Sequence, residues 1–141
     1  MLEIIKKYTN KFFNEILDFD IQEAKSFGKE YYGAAIFLTY DKTEVQWYLL
    51  FKKSTLNEIA KVLLFEDNLK DSDLDDLLKE VSNLIIGSAK VELQEKFKGL
   101  KLSTPEFLGE IKDPKNLKME EFLLYKFKNR TFIIGKKTVD K

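Results

Sequence analysis

The sequence contains neither histidine nor cysteine. Without histidine, the chain has no Ser–His–Asp or Cys–His catalytic group and no histidine ligand for zinc. Without cysteine, it has no disulfide, no thiolate nucleophile and no thiolate metal ligand. Any catalysis must therefore use carboxylates, amides, lysines or hydroxyls, or groups that a partner supplies.

The chain also lacks an excess of charge and any long hydrophobic run. Lysine and arginine number 24, as do aspartate and glutamate, and no basic block stands out. Proteins that bind nucleic acid concentrate positive charge, so we expect no nucleic-acid partner. No apolar run approaches the ~20 residues of a membrane helix, and Glu3, Lys6 and Lys7 interrupt the N-terminal stretch. We therefore expect no membrane insertion and a cytoplasmic location.

The length of 141 residues suits a single domain, residues 1–141. Apolar periodicity predicts helices over 3–18, 55–65 and 71–99, and strands over 21–27, 31–40, 45–51, 100–111, 119–127 and 131–137. The order helix, three strands, short helix, then helix and three strands resembles one unit used twice, about 80 residues apart. The pattern predicts an α+β fold with roughly six mostly antiparallel strands and the two long helices packed on one face. Pro105, which lacks a backbone donor, is expected at a sheet edge or a bulge.

The longest helix has marked ends and two distinct stripes. Ser72 is the predicted N-terminal cap and Gly99 the left-handed C-terminal cap, and Thr55-x-x-Glu58 predicts a capping box on the preceding helix. One stripe is apolar: Leu74, Leu77, Leu78, Val81, Leu84 and Ile85. At roughly 100° per residue, a second stripe lies some 130° away. It consists of Asp76, Glu80, Asn83 and Gly87.

A calcium loop is the first alternative for the acidic start of this helix. Asp71, Asp73 and Asp75 have the opening spacing of such a loop. Its sixth position, however, is Asp76 instead of glycine, and its twelfth is Ser82 instead of glutamate. A helix N-terminus explains the acids better, so we expect no metal site.

Residues 80–90, EVSNLIIGSAK, resemble the signature helix of the CheC/CheX/FliY family of phosphatases, which act on the phosphorylated chemotaxis receiver CheY. The family pattern is Asp or Ser, three residues, Glu, two residues, Asn, and a Pro some two dozen residues later. The matching positions here are Asp76, Glu80, Asn83 and Pro105. The order of elements also resembles the pseudo-repeated family fold, so the resemblance extends over nearly the whole chain.

The first helix departs from the members that have two active sites. Those members repeat Glu-x-x-Asn there, whereas Asn10 and Asn14 have no glutamate three residues before them. Gly87 and Lys90 resemble the CheX version of the signature. The chain is therefore most similar to single-site CheX, which in the family is a homodimer.

The resemblance implies a reaction with no cofactor of the chain's own. The receiver's own Mg²⁺ and lysine neutralise the charge of phosphoryl transfer, and the missing part is a positioned water. Asn83 would orient that water through its donor and its acceptor, and Glu80 would pair with a receiver lysine. Asp76 and Gly87 would support partner binding.

Other interpretations remain open. Glu-x-x-Asn on an exposed helix is often only solvated, and the helix dipole accounts for Asp76. Gly87 gives room either to a docking receiver or to another element of this chain. A non-catalytic module of the same fold could bind a receiver or a flagellar-switch component, and a structural domain could dimerise through a sheet edge. The sequence leaves open which receiver is the substrate and whether the pathway is chemotaxis.

Overall fold

Four α-helices and seven strands are formed by residues 1–66 and 69–140, the part of the chain that the computed structural model describes. The helices are α1 (Leu2–Asn10), α2 (Lys53–Leu63), α3 (Asp71–Ser82) and α4 (Ser88–Lys96). A π-helical segment, Lys11–Ile16, follows α1, and a second, Asn83–Gly87, joins α3 to α4. The strands are β1 (Gln22–Glu23), β2 (Tyr31–Tyr40), β3 (Thr43–Phe51), β4 (Lys101–Leu102), β5 (Glu106–Ile111), β6 (Glu121–Phe127) and β7 (Arg130–Asp140).

The strands form one antiparallel sheet whose order is symmetric about its centre. The order is β1-β6-β7-β3-β2-β4, and β5 also pairs with β2. Exchanging β1, β2 and β3 with β4/β5, β6 and β7 reproduces the same order in reverse. The two halves of the chain therefore occupy corresponding positions on either side of the β3–β7 pair, which confirms the predicted repeat.

The seventh strand arises from a break in the predicted segment 100–111. Both β4 and β5 pair with β2 along one edge, and Ser103–Pro105 separates them. Pro105 cannot donate to the ladder, so the edge strand is interrupted there, as predicted. The register shifts again between Gly33 and Ala34, opposite Gly109, whose φ of 78° suits glycine.

Different groups of buried residues pack on the two faces of the sheet. One face carries the main core, in which Trp47 and Ile36 are fully buried against residues of all four helices. The other face carries a smaller cluster: Tyr31, Ala35, Tyr48, Leu50 and Ile133. The four α-helices thus pack on one face, which confirms the α+β prediction.

The buried face of the first helix differs from the one that α-helical spacing predicts, which consists of Ile4, Ile5, Tyr8, Phe12, Ile16 and Leu17. Ile16 is 53% exposed, and Phe13 is fully buried beside Phe12. A π-helical segment bonds i to i+5 and adds a residue to the turn, which shifts which side chains face inward. Phe13 thereby stacks on Phe132 with ring centroids 4.6 Å apart.

Both predicted N-terminal caps are wrong. Lys70 precedes α3, which begins at Asp71 and has no side-chain cap, so Ser72 lies within the helix. Likewise α2 begins at Lys53, which places Thr55 inside the first turn, where it is fully buried. The two helix starts are instead joined by an ion pair with 2.6 Å between Lys53 Nζ and Asp71 Oδ1.

One further helix and one strand are shorter than predicted. Gly99 has the expected left-handed φ of 74°, but the helix before it ends at Lys96. In the predicted strand 21–27 only Gln22 and Glu23 pair, with β6, while Phe27 packs against the smaller cluster. Among the described residues, no helix is long and apolar enough to cross a membrane.

Candidate functional site

The candidate site lies on one continuous helical rod, which consists of α3, the second π-helical segment and α4 and is called the long helix below. Its apolar stripe is buried as predicted, including Leu74, Leu78, Val81 and Ile85. Leu84 is only partly buried and marks the margin between the buried stripe and the surface.

Glu80 and Asn83 both lie exposed on the outer surface of the long helix. Neither side chain has a hydrogen bond or ion pair to any residue that the structure describes. Their neighbours Asp75 and Lys79, in contrast, pair with each other, with 2.8 Å between Oδ1 and Nζ. The carboxylate and the carboxamide are therefore both available to a partner.

The backbone changes from α to π geometry at Asn83. The preceding residue, Ser82, is fully buried, and its hydroxyl donates to the carbonyl oxygen of Leu78 at 2.8 Å. A serine that bonds back in this way competes with the i→i−4 ladder and bends helices. Single π turns inside α-helices are frequent at functional sites. Asn83 is therefore presented at the start of a locally widened turn.

Gly87 ends this widened turn in an ordinary helical conformation, with φ −62° and ψ −36°. A Cβ atom placed on it would meet nothing within 4 Å among the described residues. The interpretation that Gly87 makes room for another element of this chain is therefore wrong. The open space agrees with the alternative, room for a partner.

Leu84 lines two grooves that border the exposed surface of the long helix. The first lies between the end of α2 and the long helix, has a volume of about 560 Å³, and is called the leucine groove. Its apolar lining is Leu63, Leu64, Leu69, Leu77 and Leu84. Asp76 and Glu80 lie on its rim, so the structure brings these two predicted residues together, with Asn83 beyond them. The second groove runs against α1 and includes Tyr8, Lys11 and Ile16.

Sequence reasoning missed the leucine groove. The signal was present in the two apolar residues that directly follow α2, of which Leu64 is 45% exposed and Phe65 is 91% exposed. A helical pattern that continues past the last buried residue indicates either fraying or a contact surface.

The first helix uses its polar residues for internal contacts. Glu92 on α4 accepts hydrogen bonds from Lys7 Nζ at 2.8 Å and from Tyr8 OH at 3.2 Å. The bond from Lys7 holds the pKa of the Glu92 carboxyl below its ordinary value. Asn10 is half-buried. Glu3 is exposed on α1, but within the described residues α1 has no exposed asparagine three residues after an exposed glutamate, as the long helix has at Glu80 and Asn83.

A donor set for a metal is not found in the part of the chain that the structure describes, since no three acidic side chains cluster suitably. The acidic residues at the start of the long helix are explained by the helix dipole, which favours negative charge there, and by single ion pairs such as Asp71 with Lys53.

The family model described as chemotaxis phosphatase CheX matches residues 33–127, which include the long helix and the sheet edge. The chain belongs to the CheX family. No curated protein sequence matches it significantly.

Solved structures share the fold at low sequence identity. The chemotaxis protein CheX from Vibrio vulnificus superposes with a TM-score of 0.82 at 15% identity, over 98% of this chain and 95% of that one. CheX in the CheX–CheY–BeF3–Mg²⁺ complex from Borrelia burgdorferi gives 0.69 at 16% identity, over 99% and 97%. The FliM middle domain from Vibrio alginolyticus gives 0.51 at 6% identity, over 99% and 92%. At such identities these likenesses show the fold alone.

Proposed function

We propose that this chain hydrolyses the aspartyl phosphate of a CheY-like response-regulator receiver, with Asn83 orienting the attacking water. The observation that carries the proposal is the exposed pair Glu80 and Asn83, which has no internal partner among the described residues, in a chain of the CheX family. A carboxylate and a carboxamide held outward on a rigid helix suit contact with a second protein better than stabilisation of this one.

The reaction needs little from this chain beyond position. Water attacks phosphorus in line with the bond to the receiver's aspartate oxygen. That bond breaks, its electron pair restores the aspartate carboxylate, and the water's oxygen and both protons leave as dihydrogen phosphate. The receiver's own Mg²⁺ and lysine neutralise the developing charge. The Asn83 carboxamide can accept from the water and donate to a phosphoryl oxygen without titrating. A rate gain of ~100-fold requires about 2.7 kcal/mol, which orientation alone can supply.

Glu80 has the role of docking contact in this proposal. It lies one turn before Asn83 on the same surface, so an ion pair with a receiver lysine would fix the register of the two proteins. Asp76 on the same rim and the open space at Gly87 would support that contact.

The remaining expectations complete the proposal. The chain works in the cytoplasm, as a homodimer, as one domain over residues 1–141, and without a metal of its own, since Mg²⁺ belongs to the partner receiver. The process is chemotaxis signalling.

The rival is a non-catalytic module that binds a receiver or a flagellar-switch component. The likeness to the FliM middle domain extends over almost the whole chain, but at 6% identity it concerns the fold only. A module that only binds has no need of a carboxamide at position 83, which favours the enzymatic proposal.

The test is a turnover assay against the purified, phosphorylated receivers of the same cell. We expect faster loss of phosphate from at least one receiver when the chain is added. If every receiver decays at its own rate with the chain present, the enzymatic proposal is wrong. Binding without faster decay would favour the rival.

A further inference from the structure

We propose that the leucine groove, together with Phe65, binds a segment of the receiver that presents a large apolar side chain flanked by Lys or Arg. The inference rests on the proposed function and names the chemistry of the docking partner. Its starting point is the apolar floor between α2 and the long helix, which no described residue of this chain fills. Leu64 is the member of that floor most suited to a partner, because 45% of it is exposed.

Phe65 extends this apolar surface outward. It follows α2 with a φ of 57°, and 91% of its surface is exposed. A bulky side chain at positive φ is sterically costly, and an exposed aromatic ring gains nothing from water. Aromatic residues, phenylalanine included, are enriched at the cores of protein interfaces. We therefore assign Phe65 a role in contacting a partner instead of a role in stabilising the fold.

Charge on the rim determines what kind of partner fits. Among the described residues, the rim carries four carboxylates and no lysine or arginine: Glu66, Asp73, Asp76 and Glu80. None of the four has an ion pair with a described residue. The whole chain is neutral, so this negative potential is local. A cationic, apolar segment is complementary to it.

Position connects the groove to the candidate site. Glu80 lies on its rim, and Leu84, the neighbour of Asn83, lies in its lining. A receiver segment held there would bring the rest of that receiver over the outer surface of the long helix. The leucine groove would then contribute to the affinity for the receiver, and Asn83 would accelerate the loss of phosphate.

The test measures affinity and turnover separately. The probes are the purified receivers of the same cell, loaded with BeF3⁻ and Mg²⁺ for binding and phosphorylated for turnover. The variants are Phe65→Gly, which suits the positive φ, and Leu64→Gln; the control is Phe122→Gln on the other face of the sheet, at a similar 43% exposure. We expect at least tenfold weaker binding for both groove variants, an unchanged rate at saturation, and wild-type behaviour for the control. Phe65→Gly should melt at the wild-type temperature or above.

The salt dependence of receiver binding tests whether the carboxylates on the rim of the groove attract the receiver. Binding by wild type should weaken as salt is raised, and Glu66→Gln should reduce that dependence, since exposed charges are screened.

Other outcomes overturn the proposal. Groove variants that bind every receiver as wild type does exclude the groove as the docking site. Loss of self-association instead of receiver binding would assign the groove to a second copy of this chain. If no receiver binds wild type, the named occupant is wrong. The enzymatic proposal is judged separately, because it fails only if turnover is absent or does not depend on Asn83.

Discussion

Thr9 and Ser82 make the same hydrogen bond at corresponding points of the two halves of the chain. Each is fully buried, and each donates its hydroxyl to the carbonyl oxygen four residues earlier at 2.8 Å, Thr9 to Ile5 and Ser82 to Leu78. A π-helical segment begins within two residues of each. Because the hydroxyl competes for the carbonyl, it accounts for the loosened ladder that follows. The next residue is an asparagine in both halves, Asn10 and Asn83, but only Asn83 is exposed, three residues after an exposed glutamate.

Ser82→Ala should lower turnover with little effect on the fold. Alanine removes the competing hydroxyl, so the turn should tighten and Asn83 should shift. The free energy of unfolding should change by about 1 kcal/mol or less, the net worth of one hydrogen bond. Urea unfolding and single-turnover kinetics measure the two effects. Thr9→Ala is the matched control and should leave the rate unchanged; an unaltered rate in Ser82→Ala would exclude this role.

Gly87→Ala should stabilise the protein. The backbone at Gly87 is helical and no described atom approaches its Cβ position, so alanine should add about 1 kcal/mol to the free energy of unfolding. Gly87→Leu should also fold, but its side chain should weaken receiver binding if Gly87 leaves room for the receiver. Thermal melts measure the stability of Gly87→Ala, and titration with the BeF3⁻-loaded receiver measures the affinity of Gly87→Leu. Wild-type affinity in Gly87→Leu would remove Gly87 from the docking surface.

Glu80→Lys should weaken receiver binding at least tenfold at low salt. The substitution reverses a charge that has no ion pair among the described residues, so attraction to a receiver lysine becomes repulsion. Glu95→Lys, an equally exposed reversal on α4, should have a much smaller effect. The measurement is a titration at several salt concentrations. Equal affinities for wild type and Glu80→Lys would remove the docking role.

The contact between α1 and α4 should make stability depend on acid pH. Lys7 holds the pKa of Glu92 below its ordinary 4.5 in the folded chain, so the unfolded chain binds the proton more readily. The stabilisation is complete above pH 4.5 and is lost as pH falls through the lower, folded pKa. Urea unfolding from pH 6 to 3 should therefore show a shallower loss for Glu92→Gln than for wild type. Glu95→Gln should retain the wild-type slope.

Strands and buried stripes were predictable because they depend on local pattern. The predicted strand 31–40 matches β2 residue for residue, since a run buried on both faces bounded by polar turns has few alternatives. The caps at Ser72 and Thr55 were not predictable, because the helices begin earlier than the capping pattern suggests, with Lys70 and Lys52 as the residues at the N-cap positions. Each π-helical segment follows a buried hydroxyl that bonds to the backbone, and burial is set by tertiary packing that apolar periodicity does not encode.

The site was predictable in part. The exposure of Glu80 and Asn83 followed from helical phase, and the structure confirms it. Their roles in hydrolysis stay predictions. The leucine groove could not be found from one helix, because α2 and the long helix form it together and only their packing brings Leu64 beside Leu77 and Leu84.

The rate of phosphate loss from a phosphorylated receiver with Asn83→Ala, beside Asn10→Ala as control, tests the central claim most directly. Both substitutions remove a carboxamide at the same point of the repeat, but only Asn83 is exposed beside a glutamate. We expect Asn83→Ala to lower the accelerated rate by ~100-fold, about 2.7 kcal/mol, while still binding the BeF3⁻-loaded receiver, and Asn10→Ala to keep the wild-type rate. Equal acceleration by wild type and Asn83→Ala would contradict the account.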